Sequence, residues 1–228
     1  MAIRKTRSAY CSHRIAIAQI MPLFLLTEEL RPWVNLSTMT ALTEHMSQLV
    51  DLTDDEKVII ENAFTTQSIS KGELWIKEGK VCDQVAYVVS GKMRHYYTDD
   101  NGNEVTCYFV LPDHFTSSFT SFLTNTPTNE NAAALEETLL RFISKKDLEN
   151  LSEQVPKIQI FRRIIAENLF IMMEKRISML QSKSAQARYE GMLKENPDVL
   201  LQVPLIYTAS FLGITPQHLS RLRKELAK

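Results

Sequence analysis

Leu205-Ile206-Tyr207-Thr208-Ala209-Ser210-Phe211-Leu212-Gly213-Ile214-Thr215-Pro216-Gln217-His218-Leu219-Ser220-Arg221-Leu222-Arg223-Lys224 reads as two short helices around a tight turn. Ala209 keeps the first helix thin where a second must cross it, and Gly213 can take the positive φ that ends a helix. Thr215 is a good N-cap and Pro216 suits the first helical position, where a missing N–H costs nothing. Leu212, Ile214, Leu219 and Leu222 supply an apolar seam between the two helices. Gln217, His218, Ser220, Arg221, Arg223 and Lys224 remain on the outer face of the second. Amide, imidazole and guanidinium groups on one exposed helix fit the major groove of double-stranded DNA. The competing reading is an αα-hairpin that merely ends a helical domain.

The charge distribution points the same way. The net charge is only −1, but residues 39–155 carry 9 Lys+Arg against 19 Asp+Glu, and residues 156–228 carry 12 against 6. An acidic body with a basic tail suits a protein whose tail alone meets phosphates. The three cysteines, Cys11, Cys82 and Cys107, form no C-x-x-C pair, so neither a zinc ribbon nor a disulfide framework is expected. A reducing, cytoplasmic setting follows, and no apolar run reaches the ~20 residues of a membrane span. Residues 1–38 stand apart: basic residues precede an apolar stretch, Ile15 to Leu26, interrupted by Gln19 and Pro22. They read as an extension outside the fold, with Met39 as a candidate start, or as a secretion signal lacking a cleavage site.

Upstream of the basic tail the periodicity changes twice. Met39 to Val50 is amphipathic at helical spacing, and Thr53-Asp54-Asp55-Glu56 is a capping box for a helix through Phe64. From Thr65 short alternating segments punctuated by Gly72, Gly79 and Gly91 follow. Asn101-Gly102 between Met93–Thr98 and Val105–Leu111 signals a hairpin. A further strand from Leu139 to Ile143 and a short helix from Lys145 to Leu151 complete a small barrel or jelly-roll. Residues 157–182 contain no Gly or Pro and predict a helix about 39 Å long. Its apolar residues, Ile158 through Leu180, exceed one stripe. The helix is therefore covered on two sides, either at the centre of a monomer or against a second copy of itself.

Barrel, long helix and terminal helix-turn-helix in this order resemble the Crp/Fnr family of bacterial transcription regulators. The resemblance spans residues 39–228 and rests on I-K-E-G-K-V-C-D-Q-V-A-Y-V-V-S-G-K-M-R (Ile76–Arg94), the linker from Ser184 to Pro204, and G-I-T-P-Q-H-L-S-R-L-R-K from Gly213. It implies an α+β fold: an N-terminal cyclic-nucleotide-binding-like jelly-roll over 39–155, a dimerisation helix over 156–182, and a winged-helix-type helix-turn-helix over 183–228. It further implies a homodimeric, sequence-specific DNA-binding regulator, not an enzyme, with RNA polymerase as a further partner. Gln217, His218 and Arg221 become the base-reading residues, since Gln pairs with adenine and Arg with guanine edges. Thr208, Thr215, Ser220, Arg223 and Lys224 become backbone contacts, although Arg223 and Lys224 equally suit a helix C-terminus. Of the family's Arg-Glu-x-x-x-Arg pattern only the last arginine, Arg221, is present.

The sensor half departs from the family. Cyclic phosphate requires a buried cation, yet Pro112 to Glu136 holds no Gly, Lys or Arg, and Glu130 stands where the cation belongs. Cyclic AMP is therefore not expected, and no cofactor is assigned. Phe115, Ser117, Ser118, Phe119, Phe122 and Thr128 either line a pocket for a neutral or amphipathic effector or form a packed, empty loop. His95 and His114 lack the spacing of a cupin metal site, so a metalloenzyme is the weaker alternative, as is a ligand-binding signalling protein without DNA binding.

Overall fold

The computed structural model describes residues 37–226. The reading of residues 1–38 falls almost wholly outside them, although the first helix, α1 (Ser37–Ser47), starts two residues before Met39. Helix α2 (Asp54–Ala63) opens on the expected capping box: the Glu56 amide donates to Thr53 Oγ1 at 3.3 Å, and the Thr53 amide donates to Glu56 Oε2 at 2.8 Å.

Among the described residues eight antiparallel strands form two four-stranded sheets facing each other. Strands β1 (Thr65–Ile69), β8 (Thr138–Ser144), β3 (Gln84–Ser90) and β6 (Phe115–Thr116) make one sheet. Strands β2 (Leu74–Ile76), β7 (Glu130–Ala134), β4 (Met93–Thr98) and β5 (Glu104–Val110) make the other. The outcome is a jelly-roll of two sheets, not a closed barrel. Ile69, Ile76, Val88, Met93, Val110, Ala132 and Leu140 fill the space between the sheets. Asn101-Gly102 sits in the β4–β5 turn, where the Asp99 carboxylate accepts from the Asn101 and Asn103 amides. Helix α3 (Phe119–Thr124) lies between β6 and β7.

A second core forms where α1, α2, α4 (Lys145–Gln154) and the start of α5 (Lys157–Ser182) cover the first sheet. Leu42, Met46, Ile60, Tyr87, Leu151 and Ile158 are its centre. A buried ion pair ties it together: Arg141 donates to Glu61 Oε2 at 2.7 Å and to the Glu61 carbonyl at 2.6 Å. Thr43 donates from its hydroxyl to the same carboxylate at 2.8 Å. Helix α5 has the expected bounds, but only Ile158 and Phe161 on it are buried. Phe170, Ile171, Met172, Met173, Ile177 and Leu180 face solvent, Phe170 at 72% exposure.

The C-terminal module packs α6 (Ala185–Glu195), α7 (Pro197–Gln202), α8 (Leu205–Leu212) and α9 (Pro216–Leu226) around Tyr189, Met192, Val199, Leu200, Ala209, Leu212 and Leu219. No strand accompanies these helices among the described residues. Among the described residues no helix is long and apolar enough to cross a membrane.

Candidate nucleic-acid interface

The turn between α8 and α9 is built as its residues require. Gly213 takes φ 66°, ψ 38°, its amide donating to Ser210 and that of Ile214 to Ala209. Thr215 caps α9, its hydroxyl accepting from the His218 amide at 3.2 Å. Ala209, Leu212, Leu219 and Leu222 are buried in the seam. Gln217, Arg221 and Lys224 are exposed on the opposite face, with His218 and Ser220 half-exposed beside them. A cationic and amide-bearing strip on one side of an eleven-residue helix is what the major groove accommodates.

Two of the expected backbone contacts engage the protein itself. Thr208 is fully buried, because on α8 it shares the inward face with Ala209 and Leu212; its hydroxyl points back to the Pro204 carbonyl at 3.5 Å. It cannot touch a phosphate from there. Arg223 turns inward, donating to the Leu200 carbonyl at 2.9 Å, and so ties α9 to α7. Thr215 remains exposed but uses its hydroxyl as the cap.

In the jelly-roll the six residues proposed for an effector pocket engage their surroundings in different ways. Phe115 packs into the helical core, its ring 5.1 Å from Tyr87 and 5.2 Å from Phe161. Phe122 is buried beneath Lys145, and Phe119 is half-buried. Ser117 donates to the Gln84 carbonyl at 2.8 Å, and the hydroxyls of Ser118 and Thr128 lie 2.7 Å apart. The stretch is a packed loop around α3.

A polar network that the sequence reading left unassembled lies between the sheets. His95 is fully buried, with Nε2 2.8 Å from the Thr116 hydroxyl and Nδ1 3.2 Å from Glu130 Oε2. The Tyr108 hydroxyl is 2.9 Å from the same Nδ1, and its ring stacks on the imidazole at 4.2 Å. Burial, reinforced by the Glu130 charge, holds the Tyr108 hydroxyl well above its ordinary pKa. His95 and Glu130 were each visible in the sequence, one as an isolated histidine and one as a misplaced charge. The β4–β7 pairing that joins them, His95 opposite Ala132 and Tyr97 opposite Glu130, has no local signature. His114 is exposed and bonded to the Pro112 carbonyl; Cys82 is buried and Cys107 half-buried.

These parts define a class: a sensor-type jelly-roll joined through a long helix to a helix-turn-helix. Residues 66–155 match the cyclic nucleotide-binding domain family. The chain is similar to FixK2 from Bradyrhizobium japonicum, with 22% identity, a TM-score of 0.63, and coverage of 72% of this chain and 84% of that one. It is similar to CLP of Xanthomonas campestris, described as a c-di-GMP responsive global regulator: 14% identity, TM-score 0.64, covering 77% and 92%. A Eubacterium rectale protein described as a transcriptional regulator of the Crp/Fnr family has 19% identity and a TM-score of 0.60, covering 78% and 84%. No curated protein matches the chain. The chain shares its fold with these proteins, and the match to the cyclic nucleotide-binding domain family lies over residues 66–155 within that fold.

Proposed function

We propose that the protein is a homodimeric transcription regulator that binds double-stranded DNA sequence-specifically through α9 and is not gated by cyclic AMP. The observation that carries this reading is the exposed strip of Gln217, Arg221 and Lys224 on a capped helix held by a glycine turn. Gln217, His218 and Arg221 read bases in this proposal, and Ser220 and Lys224 contact the backbone. Dimerisation is supported by the row of solvent-facing Phe170, Met173, Ile177 and Leu180 on α5, an apolar surface of the kind a partner copy covers. Two copies related by a twofold axis would set two recognition helices about 34 Å apart, one DNA turn.

Rejection of cyclic AMP rests on Glu130. A phosphate entering between the sheets would meet a buried carboxylate already paired with His95, and like charges in a low-dielectric space repel strongly. A regulator of this kind works alongside RNA polymerase in the cell.

Selection of bound sequences from a random duplex pool, using the full chain, tests the reading. A palindromic consensus with half-sites about 10 base pairs apart, bound with steep salt dependence, is expected. Recovery of no consensus, with no duplex retained at low salt, would overturn it.

A further inference from the structure

Strands β4 and β5 form a ribbon whose successive cross-strand pairs face opposite ways. The pair His95–Tyr108 points between the sheets into the buried polar network. The next pair, Arg94–Phe109, points outward onto the first helix of the helix-turn-helix. There the Arg94 guanidinium is sandwiched, 4.1 Å from the Tyr96 ring centroid and 3.7 Å from that of Tyr207 on α8, and it pairs with Glu104. Phe109 packs against Phe211 at 5.5 Å, and Arg176 from α5 lies over the other side of Phe211 at 3.9 Å.

Strand β5 is the outer strand of its sheet, so its outward backbone groups need partners. Ser210 supplies both: it accepts from the Thr106 amide at 2.9 Å and donates to the Glu104 carbonyl at 3.0 Å. One hydroxyl on α8 thus takes the place of a neighbouring strand. The recognition face of α9 stays open while this contact is closed, so the contact orients the module and does not occlude it.

We infer that Arg94, Tyr207 and Ser210 are positioning residues: they lock α8 to the β4–β5 ribbon and so fix the angle at which α9 is presented to DNA. The inference rests on the DNA-binding reading for its consequence, but not for the lock itself. Because α9 is seated on α8 through Leu212 and Leu219, whatever fixes α8 fixes the recognition helix.

Two measurements on the full-length protein separate lock from function. Hydrogen exchange at the Thr106 amide should accelerate about tenfold or more in Ser210→Ala, because an amide on the edge strand loses its acceptor; unchanged exchange overturns the lock. For function, Tyr207→Ala should weaken binding to a selected operator about tenfold while random duplex binding changes less than about twofold, and Tyr207→Phe, which keeps the ring face under Arg94, should restore the operator affinity. Equal losses on both duplexes, or none on either, overturn the positioning role. A wild-type protein that binds no duplex at all overturns the DNA-binding reading and with it the positioning role, while accelerated Thr106 exchange would still uphold the lock.

Discussion

Glu130 holds its Oε2 3.2 Å from the Nδ1 of His95, with both side chains shut away from solvent. Burial alone would push the Glu130 carboxyl up, but the His95 hydrogen bond and charge, with help from Ser118, outweigh it and leave the group below its ordinary value. A carboxylate with a lowered folded-state pKa adds stability that is present above its unfolded pKa and is lost as pH falls through the folded value. Glu130→Gln keeps the shape and removes the charge. Its destabilisation should be largest near neutral pH and shrink below about pH 4, where the unfolded carboxyl protonates first and the folded one only at lower pH. Urea melts of both proteins at pH 7, 5 and 3.5 would show it; a stability gap independent of pH would count against the ionised pair.

Gly91 and Gly213 both have positive φ, at 86° and 66°, yet their replacement should differ sharply. At Gly213 an added Cβ meets nothing nearer than 3.7 Å, so Gly213→Ala should cost only the left-handed backbone strain, about 1–2 kcal/mol. At Gly91 the same atom would lie 2.4 Å from Thr138 Oγ1 and 2.5 Å from the Glu137 carbonyl. Backbone cannot yield there, and Gly91→Ala should exceed the Gly213→Ala loss by at least about 2 kcal/mol. Thermal melts of the two variants side by side decide it. Equal losses would mean that the β3–β4 turn relaxes freely.

How much of this could be read in advance follows from the range of the interactions. The Thr53 capping box, the bounds of α5 and the Gly213 turn are set by residues within about four positions of each other, and periodicity with cap chemistry exposes them. The Phe115–Thr128 stretch stayed open between pocket and packed loop because its hydroxyls are equally suited to a ligand and to each other; only the fold shows Ser118 on Thr128 and Ser117 on Gln84. Thr208 misled because its place on the inward face of α8, beside Ala209 and Leu212, depends on how the C-terminal helices pack. The His95–Glu130–Tyr108 network and the Ser210 contact with β5 join residues 13 to 106 positions apart, and such pairings leave no trace in a single sequence. Charge segregation, by contrast, survived into the structure as exposed Arg221 and Lys224.

Arg221 is exposed on α9 with its guanidinium free of the inward tie that captures Arg223. Arg221→Ala should weaken binding to a selected operator by about 1–3 kcal/mol and relax preference at one base position. Lys224→Ala should instead weaken specific and random duplexes alike and lower the salt slope by about one counterion. Fluorescence anisotropy titrations across a salt series separate the two. Indistinguishable effects of the two substitutions would mean that α9 does not lie in the groove as proposed.

Phe170 is 72% exposed and Ile177 55% exposed on the same helix, about two turns apart, so neither contributes much to the fold of a single protomer. Surface substitutions outside a core typically change stability by no more than ~0.5 kcal/mol. If these side chains meet a second copy, a buried carboxylate at either position is prohibitive. Phe170→Glu and Ile177→Glu should therefore each raise the dimer dissociation constant about 100-fold, while the unfolding transition of a dissociated protomer stays within a few degrees of wild type. Sedimentation velocity over a concentration series reads the first quantity, and thermal melts at low concentration read the second. A wild-type protein that stays monomeric at high concentration would remove the dimer, and with it the pairing of recognition helices across one DNA turn. A dimer untouched by both substitutions would place the interface somewhere other than this face of α5.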